Sequence, residues 1–157
     1  MPIKYDKVID FRREALAEAG LRIRELQTDE LYMTVPLLSQ LYSQVSTELL
    51  LTRLAEISGL NWRCVGVFDQ NIMIGLSGYW FNTRLYCGKY LYIDHFVIDN
   101  KRRGDGVGTQ LLAYLKQLAK DKNCEQVCLD TFVANSLAQS FWLRHGFNIV
   151  GFHFIAQ

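Results

Sequence analysis

The chain has 157 residues, half of them hydrophobic and 21% charged, with a formal net charge of +1. This length fits one domain, residues 1–157, able to bury a core without staples. The near-neutral balance excludes a general polyanion field, so no nucleic-acid partner is expected, and the only basic cluster is Lys101-Arg102-Arg103.

Residues 5–19 read as a helix, with Val8, Phe11, Leu16 and Ala19 loosely spaced and Gly20 as its stop. Leu21, Ile23 and Leu26, with Arg22 and Arg24 between them, predict a first strand. Thr28-Asp29-Glu30 suits the cap of a helix over about 30–45, whose start Pro36 can split or shift. Ser46-Thr47-Glu48 opens another helix, Leu49 to Ile57, with Leu50, Leu51, Leu54 and Ile57 as its apolar stripe. Strands from Trp62 to Phe68 and from Ile72 to Phe81 are separated only by Asp69-Gln70-Asn71, which demands an antiparallel hairpin. Asn82 to Gly88 reads as a loop, followed by a strand over 90–98. A glycine-rich turn then opens a helix with Leu111, Leu112, Leu115, Leu118 and Ala119 on one face. Glu125 to Thr131 is a short strand, Asn135 to His145 a helix closed by Gly146, and Phe147 to Ile155 a last strand. Hairpins come early and crossover helices late, so the class is α/β with a mixed sheet.

No apolar run reaches the ~20 residues that span a bilayer, so no membrane partner is expected. The start, Met1-Pro-Ile-Lys-Tyr-Asp-Lys, lacks the apolar core of a signal peptide. Cys64, Cys87, Cys124 and Cys128 have no CxxC spacing and read as reduced residues, in or near the core, of a cytoplasmic protein with no metal site.

The most informative stretch is the β-branched and aromatic run Tyr90 to Ile98, followed by Arg103-Gly-Asp-Gly106-Val-Gly108 and a helix. Such a turn aims backbone N–H groups at one spot at the positive end of a helix dipole, which suits phosphate. A solvated turn with no ligand is the plain alternative. A Walker A loop needs Lys-Ser/Thr after its last glycine, and here Thr109-Gln110 follows Gly108. A dinucleotide fingerprint needs a sixth-position glycine, where this chain has Thr109 or Leu111.

What remains, Arg103-x-x-Gly106-x-Gly108 between strand and helix, resembles the coenzyme A loop of the GNAT superfamily of N-acetyltransferases. Downstream, Asn135-x-x-Ala138-x-x-Phe141-Trp142-x-x-x-Gly146-Phe147 is similar to a second segment of that superfamily, and the element order matches from about Leu21 onward. The resemblance implies a central mixed, mostly antiparallel sheet flanked by helices, with residues 1–19 as an extra N-terminal helix. It implies acetyl-CoA as cosubstrate, direct attack on the thioester by a primary amine of a small molecule or peptide, and no metal. Arg103, Gly104, Asp105, Gly106, Val107, Gly108 and Thr109 would hold the pyrophosphate, and Lys101 and Arg102 could reach the 3′-phosphate. Backbone groups of Phe96, Val97 and Ile98 would pair with the pantetheine arm, and one of their N–H groups would polarise the thioester carbonyl. Asn135 would bond the pantetheine, cap its helix, or both. Relatives often pair through their last strands, so a homodimer is open to this chain. The acceptor pocket is expected from residues 29–60 and the loop 82–88.

Strand alternation puts Tyr92, Asp94 and Phe96 on one face, and Ile93, His95 and Val97 on the other. Asp94 falls where many relatives carry the carboxylate that accepts the amine proton; the plain alternative is a strand-end acid bonded to backbone or arginine. His95 reads rather as a buried, satisfied core histidine. Trp142 departs from the family, whose tyrosine at that place protonates the leaving thiolate; an indole N–H cannot surrender a proton at neutral pH. Water, another tyrosine such as Tyr92 or Tyr79, or the absence of turnover would each account for it. The last is an alternative function: a non-catalytic acyl-CoA sensor or regulatory module.

Overall fold

A computed structural model describes residues 20–157; the helix expected over 5–19 lies outside them. Among the described residues, five strands form one sheet in the order β1 (Leu21–Glu25), β2 (Trp62–Asp69), β3 (Ile72–Arg84), β4 (Gly88–Ile98) and β5 (Gln126–Leu129). All neighbours are antiparallel except β4 and β5, which run parallel. The parallel pair is joined by α3 (Val107–Asp121), the long crossover that parallel pairing requires.

The sheet divides two apolar layers. On one face Val65, Val67, Leu91 and Ile93 pack against Leu111, Leu112 and Leu115 of α3 and Trp142 of α4 (Ser136–Arg144). On the other, Cys64, Phe68, Leu76 and Val97 meet α1 (Val35–Leu41) and α2 (Thr47–Ser58). α2 starts where expected, because the Ser46 hydroxyl accepts the Leu49 N–H. Leu50 and Leu54 are buried while Leu51, expected in the stripe, is exposed.

Three sequence expectations change. The helix over 30–45 is instead a 3-10 helix, Thr28–Thr34, and the shorter α1, which carries Pro36 in its first turn, where no N–H is missed. The loop over 82–88 shrinks to a turn at residues 85–87, because Asn82, Thr83 and Arg84 continue β3 and pair with Tyr90, Lys89 and Gly88. The last strand, Phe147 to Ile155, is absent: residues 147–157 pair with no strand among the described residues, and Phe152 and Phe154 stand 84% and 89% exposed. Alternation makes a segment able to be a strand, but a strand also needs a neighbouring edge.

The 3-10 helix is tied to β1 through Glu30, whose carboxylate takes two hydrogen bonds from Arg24 at 2.7 and 2.9 Å and one from the Gln27 backbone N–H at 2.8 Å. Arg24, then the Gln27 amide, pull the Glu30 carboxyl down to about 2 from 4.5. A folded-state value below the unfolded one stabilises the protein above pH 4.5, and that contribution disappears as pH falls toward 2. In urea titrations, wild type should exceed Glu30→Gln by a small margin at pH 7, and the two curves should converge near pH 2.

Candidate active site

The site begins at a β-bulge. Leu76 pairs with Val97 and Gly78 with Asp94, so β4 carries one residue more than β3 across that step. His95 absorbs it with φ of +59°, a left-handed conformation uncommon outside glycine and asparagine. The bulge overturns the simple alternation expected for this strand. Ile93, Phe96 and Ile98 face α3 and α4, whereas Val97 and the His95 ring face α1 and α2. His95 therefore joins Asp94 on one face, and Phe96 leaves it.

On that face four side chains form a chain. The Trp80 indole N–H donates to Asp94 Oδ2 at 3.0 Å. His95 Nε2 lies 3.3 Å from the same oxygen. On the other side of the ring, His95 Nδ1 shares a 2.6 Å hydrogen bond with the Tyr42 hydroxyl, just past the end of α1. Asp94 Oδ1 accepts no hydrogen bond among the described residues. The Asp94 and His95 side chains are 29% and 24% exposed, so a solute can reach them. Burial pulls the imidazole below its ordinary value of 6.5, opposed by the Asp94 charge, which leaves it neutral at pH 7. Burial first, then Asp94, pushes the Tyr42 hydroxyl up to about 12.

The other edge of β4 opens at the same point. β5 pairs with it from Tyr90 to Ile93 and ends at Leu129, so from Asp94 onward that edge has no strand partner among the described residues. The parallel pairing thus stops before Phe96, Val97 and Ile98, whose backbone is expected to be free along that edge. Phe96 turns inward onto Phe141 and Trp142, with ring centroids 5.6 and 4.9 Å away, and so seats α4 beneath the opening.

The end of β4 leads through a short 3-10 helix, Asn100–Arg102, into the glycine turn. Gly104 and Gly106 have φ of +88° and +78°, and an added Cβ at either would meet nothing within 4 Å, so the turn is bare toward solvent. Gly106 caps α3, whose first N–H groups have no partner within the helix. Val107, 1% exposed, anchors the turn in the core. At Gly108 a Cβ would lie 3.3 Å from the Phe141 ring, so the lack of a side chain there also lets α4 pack closely. Arg102 pairs with Asp69 at 2.6 Å and with Asp105 at 3.1 Å. Arg103 is exposed and forms no ion pair among the described residues. The Thr109 hydroxyl shares a 3.0 Å hydrogen bond with His145 Nε2. Asn135 accepts the Ala138 N–H at 3.1 Å, which settles its capping role.

Both tyrosines considered as proton donors are hydrogen-bonded to carboxylates. Tyr92 donates to Asp130 at 3.0 Å, and burial, reinforced by that carboxylate, raises its pKa. Tyr79 lies on the α3 face, opposite Asp94, donates to Glu25 at 3.1 Å and is likewise raised, chiefly by burial. Two cavities of about 350 and 280 Å³ adjoin Glu25, and neither is lined by Asp94, His95 or the turn. Tyr42, Trp80 and His95 escape a sequence reading as a group, since only the bulge and the position of α1 bring them together. No group of three or more metal-binding side chains occurs among the described residues.

A parallel pair that ends early thus lies beside a bare glycine turn. The profile described as the acetyltransferase (GNAT) family matches residues 22–147. The chain belongs to the GNAT acetyltransferase family. Among curated proteins, the thialysine N-epsilon-acetyltransferase of Bos taurus is 24% identical over 74 residues, covering 47% of this GNAT chain and 44% of that protein. The aligned stretch thus spans less than half of that relative. Among solved structures, an aminoglycoside N-acetyltransferase in complex with CoA superposes with a TM-score of 0.75 at 18% identity, covering 87% of this chain and 93% of that one. Glucosamine-6-phosphate N-acetyltransferase from Arabidopsis thaliana gives 0.65 at 21% identity, covering 87% and 97%. At such identities the superpositions speak for the fold of this GNAT protein.

Proposed function

We propose that this GNAT protein transfers an acetyl group from acetyl-CoA to the primary amine of a small molecule or peptide. The observation that carries the reading is the coincidence, within one segment of β4, of a carboxylate oxygen and a backbone edge that have no partner among the described residues. Acetyl-CoA supplies the activated acetyl thioester. The residues that would hold it are the main chain of Phe96, Val97 and Ile98 along that edge, and the turn Arg103 to Thr109 at the start of α3.

Attack requires the amine to lose a proton, and Asp94 Oδ1 takes it, directly or through water, while Oδ2 stays held by Trp80. An N–H of the unpaired β4 edge stabilises the charge that develops on the carbonyl oxygen. With Trp142 unable to donate a proton and Tyr92 engaged by Asp130, solvent water protonates the departing thiolate. A thiol of pKa about 8.5 leaves readily enough for this to sustain turnover.

Calorimetry with acetyl-CoA, followed by release of free coenzyme A across an amine panel, tests the reading. Folded protein that gives neither heat nor thiol release would overturn it; heat with no release would favour the sensor function. Arg103→Ala should raise KM for acetyl-CoA roughly tenfold, the worth of one charge-assisted hydrogen bond, with a smaller change in kcat. A KM equal to that of wild type would take Arg103 out of the cofactor site.

A further inference from the structure

Two ring nitrogens of His95 face different partners, and only one arrangement of the proton satisfies both. Nδ1 is 2.6 Å from the Tyr42 hydroxyl oxygen, and Nε2 is 3.3 Å from Asp94 Oδ2. Trp62 covers the ring edge-on, with centroids 6.0 Å apart, and adds no charge. A proton on Nδ1 would turn the bare lone pair of Nε2 toward a carboxylate oxygen, which is repulsive. A proton on Nε2 places a positive N–H within electrostatic reach of that oxygen, 3.3 Å away, and leaves Nδ1 to accept from Tyr42. The second arrangement requires the tyrosine to remain an O–H donor, and its burial keeps the hydroxyl protonated.

We propose that Tyr42 fixes the tautomer of His95, and that His95 so fixed is a positioning residue that presents Nε2–H to Asp94 Oδ2 and leaves Oδ1 as the proton acceptor. The inference rests on the reading of Asp94 as the amine's base. It gives a purpose to two otherwise unexplained features. His95 sits in a left-handed conformation that costs energy, and that conformation is what brings its ring to Asp94's side of the sheet. The Tyr42 hydroxyl reaches across 53 residues of sequence to the back of the same ring. The Trp80 N–H bonds this carboxylate oxygen and His95 Nε2 lies 3.3 Å from it, so the other oxygen presents a single orientation to an incoming amine.

Glutamine supplies the test, because its side-chain amide can place an N–H near the Nε2 position and has no tautomers. Tyr42→Phe in the wild-type background should lower kcat about tenfold, the effect of one lost hydrogen bond, with acetyl-CoA affinity unchanged by calorimetry. His95→Leu should fall at least as far, and His95→Gln should retain more activity than His95→Leu. In the His95→Gln background, Tyr42→Phe should cost little further. An equal loss from Tyr42→Phe in both backgrounds would overturn the proposal, since the tyrosine would then act by packing alone. Nitrogen-15 NMR of the histidine rings gives a readout independent of catalysis. The wild-type His95 resonances should report a neutral ring protonated at Nε2, and Tyr42→Phe should shift them toward a mixture. A ring protonated at Nδ1 in wild type would refute the tautomer assignment. Because the spectra need no acceptor, a protein that acetylates no amine would defeat the proposed activity while the tautomer stood or fell on its own evidence.

Discussion

Asp94→Asn should lower kcat at neutral pH about 100-fold, the lower range of what a positioned general base contributes, with the dissociation constant for acetyl-CoA nearly unchanged. Asparagine is the same shape, and its carbonyl oxygen can still accept from Trp80 as Asp94 Oδ2 does at 3.0 Å, so the bulge and its neighbours are retained. What the substitution removes is an oxygen that can take a proton. Steady-state kinetics with any amine found active, together with calorimetry on the same samples, separates the two effects. A kcat equal to that of wild type would remove Asp94 from the mechanism, and a matched fall in cofactor affinity would make its role structural.

Trp142→Ala should destabilise the protein by about 3–5 kcal/mol, the usual cost of truncating a large buried aromatic. Trp142 is 8% exposed and touches Phe96, Phe141 and Phe147 edge-on at 4.9, 4.9 and 5.3 Å between centroids. A domain of this size is stable by only about 5–15 kcal/mol, so the loss should be plain in a urea midpoint. The change should also weaken acetyl-CoA binding, because Phe96 belongs to the open segment of β4 and loses the ring that seats it. Trp142→Phe should recover most of the stability. An unshifted midpoint for Trp142→Ala would mean that α4 is held by contacts other than this aromatic cluster.

Trp142 also shows how one residue can be legible in one respect and opaque in another. That indole cannot serve as an acid follows from its chemistry alone. That it instead fills the space behind Phe96 follows from the bulge, which turns Phe96 away from Asp94 and toward α4. Gly108 is a similar case. Its place in the motif speaks for a role of its backbone toward phosphate, and the structure adds that the space on its side-chain side is taken by the Phe141 ring, 33 positions further on. Gly104 and Gly106 do stand bare, with the positive φ that their position in a tight turn requires.

The elements that the sequence determined by itself are those whose causes are local. The α3 stripe follows from side-chain period, the Ser46 and Asn135 caps from side chains within three residues of their donors, and the β2–β3 hairpin from a connection too short for anything else. The turn between β4 and α3 belongs with them, since glycine placement and helix start are adjacent in the chain. Tertiary structure alone decided the register of β4 against β3, which inserts His95 as an extra residue and overrides strict alternation. It also decided that Tyr42 meets His95 and that Phe147 to Ile155 joins no strand among the described residues. Pairing partners, unlike periodicity, are properties of distant backbone brought close, and no pattern within a short window encodes which edge will be there.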